Sequence, residues 1–169
     1  MSERLPERIE PLSLAETGRT LCGIVSVAAM RRLAPLLAVP EGELAVDLRF
    51  GIDADRIHTL TGTVRGRLQL VCQRCLGPME LPVDLEISLG MVRDAAEGER
   101  LPPRYEALMV AAEPMTLAEI VEDELLLAMP IVALHQDAAR CSVPERYRRT
   151  AAAERKNPFA VLAQWKRGD

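Results

Sequence analysis

The 169-residue sequence predicts an α+β fold in a single domain, an antiparallel sheet covered on one face by helices. Two stretches, 60–72 and 79–89, alternate apolar and polar residues with a period of two and read as half-buried strands. Only a tight connection carrying Cys72-Gln73-Arg74-Cys75-Leu76-Gly77-Pro78 separates them, so they form an antiparallel hairpin with a Cys-x-x-Cys set at its tip. Residues 116–129 change period: Leu117, Ile120, Val121, Leu125 and Ala128 form the apolar stripe of a helix.

In chain order, residues 1–11 are rich in proline and charge and are expected to be loosely held. Residues 12–25 show no decisive period. Ser26 suits the cap of a short helix running to Leu33, with Pro35 at its end. At 43–50, Leu44, Val46, Leu48 and Phe50 alternate with Ala45, Asp47 and Arg49, a strand that turns through 51–55 into the hairpin and makes a meander of three. The polar connection 90–106 is long enough to be functional or mobile, and 107–111 can add a short strand. Thr116 and Glu119 have the spacing of a capping box for the helix, and Pro130 stops it. Near the end, Asn157-Pro158 reads as a helix start, and Phe159, Val161, Leu162 and Trp165 give that helix an apolar face able to dock on the body. The segment 145–169 is thus a basic tail with a docking helix.

The charge is uneven. Residues 140–169 hold eight basic groups against three acidic, a net +5, which leaves −9 on the other 139 residues of a chain whose total is −4. A mildly acidic whole does not read as a bulk nucleic-acid binder, whereas the basic tail suggests one cationic contact surface. The first ten residues carry five charges and no apolar core for a signal peptide, and no apolar run approaches the ~20 residues that span a bilayer. A cytoplasmic protein with reduced thiols, without a membrane partner, is expected.

The run Glu119, Glu122, Asp123 and Glu124 reads as a solvated helix face suited to the helix dipole, not as an acid/base pair, because no partnered His or Gly-rich loop accompanies it. No nucleophile motif, phosphate loop or dinucleotide fingerprint appears, so no catalytic residues and no small-molecule substrate are assigned. The Cys-x-x-Cys set sits between antiparallel strands and is followed by Gly77-Pro78, which disfavours the helix-opening arrangement of a redox catalyst. Two readings of the pair stay open. Cys72 and Cys75 can take two corners of a zinc tetrahedron completed by His135 and Cys141, or they can be reduced, partly buried thiols.

Val71-Cys72-Gln73-Arg74-Cys75, the stretch 120–130 followed by His135 and Cys141, the loop from Leu101-Pro102 to Tyr105-Glu106, and Lys156-Asn157-Pro158-Phe159-Ala160-Val161-Leu162-Ala163 resemble the YceD family. The resemblance runs from about position 60 to the end, with Met129 where the family usually has Leu. It implies a role in the accumulation of large-subunit (23S) ribosomal RNA, through its synthesis, processing or stability, without a defined enzymatic step. Two kinds of partner follow as expectations. RNA or an assembly intermediate would meet Arg74, Arg146, Arg148, Arg149, Arg155 and Lys156, joined by Arg65 and Arg67 on the exposed hairpin face, through backbone and shape, because aromatics are only 3% of the chain. Alternatively, an adaptor would hold a basic ribosomal protein with Glu122 and Asp123.

Overall fold

The computed structural model describes residues 5–110, 114–137 and 141. Its body is a six-stranded sheet, larger than the expected meander of three with one added short strand. Strand β2 (Thr20–Ser26) lies beside β4 (Glu43–Ile52), which pairs with β5 (His58–Val71), then β6 (Pro78–Val92) and β7 (Glu106–Met109); β3 (Leu37–Val39) also pairs with β5. The alternation read from the sequence is the alternation of burial. Leu44, Val46, Leu48 and Phe50 of β4, Leu60, Val64, Leu68 and Leu70 of β5, and Ile87 and Leu89 of β6 all point into one core. The β5–β6 hairpin is long and regular, from Thr59 opposite Gly90 to Val71 opposite Pro78. On its open face Arg65 pairs with Asp84 at 2.9 Å and Arg67 with Glu80 at 3.3 Å.

Two glycines let β4 approach β5 closely. A Cβ on Gly62 would stand 2.0 Å from the Asp47 carbonyl oxygen, and one on Gly66 would stand 2.5 Å from Leu44 Cδ2. A side chain at Gly62 could not be added without moving a strand, and one at Gly66 would have to displace the buried Leu44 side chain.

Over the core face lie α1 (Pro11–Glu16), which touches β4 and β5, the two 3₁₀ turns Val27–Ala29 and Ala34–Leu36, and α3 (Leu117–Ala128). The short helix expected from Ser26 is therefore broken into turns, and Ser26 makes no side-chain cap. Residues 5–11 are tied down: β1 (Arg8–Ile9) pairs with β8 (Met115–Thr116), and Ile9 and Pro11 are buried. This pairing also replaces the expected capping box. Thr116 makes no side-chain cap, and the Leu117 amide at the helix start donates instead to the Glu7 carbonyl at 3.0 Å.

The connection 90–106 is largely structured. Helix α2 (Ala95–Gly98) has a reciprocal cap, in which the Glu97 amide donates to Asp94 Oδ1 at 2.9 Å and the Arg93 amide to Glu97 Oε2 at 2.7 Å. Asp53 in the β4–β5 turn then clamps the end of the connection, accepting at Oδ2 from Arg104 at 2.9 Å and from the Tyr105 hydroxyl at 3.0 Å. Beyond the clamp β7 runs parallel to β6. Among the described residues no helix is long and apolar enough to cross a membrane.

Candidate metal centre

The hairpin tip is a tight turn made by the backbone. The Cys72 amide donates to the Gly77 carbonyl at 2.9 Å, and the Leu76 amide donates to the Cys72 carbonyl at 2.8 Å. Leu76, not Gly77, takes the left-handed conformation, with φ of 59°. A side chain there stores about 1–2 kcal/mol of local strain, which the rest of the tip must hold. The loop after α3 crosses the tip, and the Gln73 amide donates to the Ala133 carbonyl at 2.8 Å. That contact delivers His135 and then Cys141 to the thiols.

Cys72, Cys75, His135 and Cys141 converge there, their ligand atoms all within 4.8 Å of one another, the first two buried and the last two half-buried. Cys72 Sγ is 3.8 Å from Cys141 Sγ, Cys75 Sγ is 3.6 Å from His135 Nδ1, and Cys141 Sγ is 3.4 Å from that nitrogen. A tetrahedron with zinc–sulfur bonds of ~2.3 Å and zinc–nitrogen bonds of ~2.0–2.1 Å has sulfur–sulfur edges of about 3.8 Å and sulfur–nitrogen edges of about 3.6 Å. These three separations have the size of tetrahedral edges, within a donor set that spans no more than 4.8 Å.

Its protonation fits the same use. His135 Nε2 lies 3.2 Å from the Pro78 carbonyl, which can only accept, so Nε2 carries a hydrogen and Nδ1 is the ring nitrogen that faces the sulfurs. Burial works against ionising Cys72, but amide N–H groups of Cys75, His135 and Arg74, with the His135 side chain, hold its thiol down to about 5. Cys141 is pushed the other way, by burial first and then by its contacts with the Cys72 and Cys75 sulfurs. A divalent cation at the cluster would let several of these donors ionise together. The residues could hold a metal ion on size, donor type and orientation.

The other residues expected to be functional are placed less uniformly. Arg74 directs Nη1 to within 3.8 Å of Cys141 Sγ, at the rim of the cluster. Arg65 and Arg67 are paired with cross-strand acids, as above. Arg146, Arg148, Arg149, Arg155 and Lys156 lie outside the described residues, as does the docking helix near the C-terminus.

Glu122 is 2% exposed and points inward. Its Oε1 accepts from the amides of Arg32 at 2.6 Å and Leu33 at 2.9 Å, and its Oε2 from the Arg32 guanidinium Nε and Nη2 at 3.1 Å each. Desolvation opposes the charge, yet these donors leave the Glu122 carboxyl below the usual carboxylate range. Asp123, half-exposed, pairs with Arg32 at 2.5 Å. The inward direction was legible in the spacing, since Glu122 stands four residues after Ala118 and three before Leu125, on the buried side of α3. Two other supports, the Pro78 and Ala133 carbonyls, carry no sequence signal because any residue offers a carbonyl.

Fold and site together define a class: a small α+β protein whose hairpin-tip thiols meet a histidine and a cysteine from a distant loop in a cluster suited to a metal ion. The chain belongs to the YceD family, since residues 60–166 match the profile described as "Large ribosomal RNA subunit accumulation protein YceD". It is also similar to the large ribosomal RNA subunit accumulation protein YceD of Haemophilus influenzae, with 28% identity over 169 residues that cover 96% of this chain and 97% of that one. No solved structure matches the chain.

Proposed function

We propose that this chain is a non-catalytic, cytoplasmic factor of ribosome biogenesis that promotes accumulation of 23S ribosomal RNA by supporting its synthesis, processing or stability. The family match carries this reading, because the profile and the relative are both named for accumulation of an RNA and not for a reaction. In this reading the Cys72, Cys75, His135 and Cys141 cluster holds zinc as a structural staple, with all four positions taken by protein donors and none left for a reacting water. RNA is met by the cationic tail, Arg146, Arg148, Arg149, Arg155 and Lys156, with Arg74 at the hairpin tip. Phosphate contacts of this kind give an affinity that falls steeply with salt.

A second reading, an adaptor for a basic ribosomal protein, draws support from an acidic patch on α3. Burial raises the Glu124 carboxyl above its ordinary range, and the nearby Glu106 and Asp123 charges raise it further, so acidic groups gather on this side of α3 even though Arg32 pairs with Asp123. With Glu122 turned inward, Asp123 and Glu124 are the residues that would face such a partner.

The deciding experiment measures the ratio of large- to small-subunit ribosomal RNA, with precursor ends mapped, in cells depleted of the protein and complemented with variants. A selective fall in the large-subunit RNA is expected, restored by the wild type and not by charge reversal at Arg146, Arg148 and Arg149. An unchanged ratio on depletion refutes the role. Full rescue by the reversed tail, with loss of rescue on reversing Asp123 and Glu124, transfers the contact to the acidic patch.

A further inference from the structure

One apolar groove on the described surface is uncovered. It runs along the outer edge of β6, where β7 pairs only with Leu89–Val92 and leaves the earlier part of the strand without a neighbour on that side among the described residues. Leu81 and Val83 with Pro82 line it, and the buried Leu68 and Leu125 lie at its floor, so the groove sits between the β6 edge and α3. The opposite wall is the last turn of α3 and the loop beyond, with Ala128 and Met129 toward one end and His135 at the other. Beside it the large apolar side chains of Leu127, Ile131 and Val132 are 74%, 96% and 52% exposed. Three such side chains clustered at one helix end exceed the scatter of single exposed apolar residues that a monomer surface tolerates.

The occupant can be argued from where the chain goes next. Cys141 Sγ is 3.4 Å from His135 Nδ1, so the last described residue stands at the mouth of the groove, and 28 residues follow it. Within those 28, Phe159, Val161, Leu162 and Trp165 supply the complementary apolar surface. The nine residues 157–165, as a helix, would be about 13 Å long, against the roughly 20 Å of strand edge from Met79 to Leu85. The fifteen residues between Cys141 and Asn157 reach any point of the groove, at up to ~3.3 Å each. Charge agrees as well: the tail is net +5, and α3 presents Asp123 and Glu124 next to Leu127. We propose that residues 157–165 dock in the groove between the β6 edge and the end of α3, covering Ile131 and Val132. This is an intramolecular contact and stands whether or not RNA is the partner.

The chain has a single tryptophan, Trp165, which makes the contact directly observable. Its emission and its quenching by acrylamide are measured in the full-length protein, in the double variant Ile131→Asp with Val132→Asp, and in Ile52→Asp at the far end of the sheet as a control. All three positions are exposed, and circular dichroism verifies that each variant folds. Docking predicts a blue-shifted, quencher-protected Trp165 in the wild type and in Ile52→Asp. In the double variant it predicts a shift to the red and a several-fold rise in the quenching constant. Solvated emission in the wild type overturns the proposal, as does a blue shift that the double variant leaves unchanged. A blue shift that fades on dilution overturns it in favour of docking on a second copy.

Discussion

Replacing Glu122 by alanine is expected to destabilise the protein by roughly 3–5 kcal/mol, a figure that follows from what the carboxylate holds. Two backbone amides, those of Arg32 and Leu33, would lose their acceptor, the first at a part-buried site and the second at a buried one. Each buried donor left unsatisfied costs about 1–3 kcal/mol. The Arg32 guanidinium is half-exposed and recovers hydration, so its lost ion pair adds only about 0–1 kcal/mol. For a chain of this size the sum corresponds to a fall in Tm of about 10 °C. Glu122→Gln keeps an oxygen for the amides and should lose less. Its deficit has a definite pH dependence, because a carboxyl whose folded pKa is depressed stabilises the fold above its unfolded value, ~4.3, and that contribution disappears as pH falls through the lower folded value. The gap between wild type and Glu122→Gln should therefore narrow below about pH 4. The control is Asp123→Ala, which touches the same arginine from a half-exposed position and should change stability by under about 1 kcal/mol. Urea titrations at a series of pH values measure all three variants. A loss in Glu122→Ala under about 1 kcal/mol, or one equal to that of Asp123→Ala, would refute the assignment of Glu122 as the anchor of the Arg32–Leu33 backbone.

Metal analysis of protein purified without a histidine tag should give about one zinc per chain, lost in Cys72→Ser. Hydrogen exchange should then show the loop carrying Ala133 and His135 loosened while the β5–β6 pairing stays protected, since the sheet core does not depend on the cluster; unchanged protection in the loop would mean that no metal holds it. Gly62→Ala should cost about 2 kcal/mol or more in urea titrations, because its Cβ would meet the Asp47 carbonyl at 2.0 Å, and a neutral substitution would refute so close an approach of the two strands.

The parts of the fold legible in the sequence are those where one physical demand acts alone. Strands β4, β5 and β6 are buried on one face and open on the other, so the period of two survives in the residues. Helix α3 is recognisable for the same reason, with a stripe in place of an alternation. Strand β2 is hidden because it lies at the sheet edge and carries Cys22 and Gly23 where a strand pattern would want alternation. The bridge between β1 and β8 is two residues long and joins positions more than a hundred apart, beyond any local pattern. In the connection 90–106 the Asp94 and Glu97 pair was a readable cap, masked by the surrounding polar residues. All four donors of the cluster were visible by residue type, but their convergence depends on the Ala133 carbonyl and the path of the loop.

The cluster also sets an order of events during synthesis. His135 lies 60 residues beyond Cys75, and at about 5–20 residues per second a ribosome takes roughly 3–12 s to make that interval. Through that time the hairpin can zip from its own tip, yet its two thiols wait for donors that do not yet exist. Strand β1 waits even longer, since β8 is made more than a hundred residues later. The first strand and the first candidate ligands of this chain thus meet their partners only in its last third, so a chain interrupted before Met115 lacks both the β1–β8 pairing and the last two donors of the cluster.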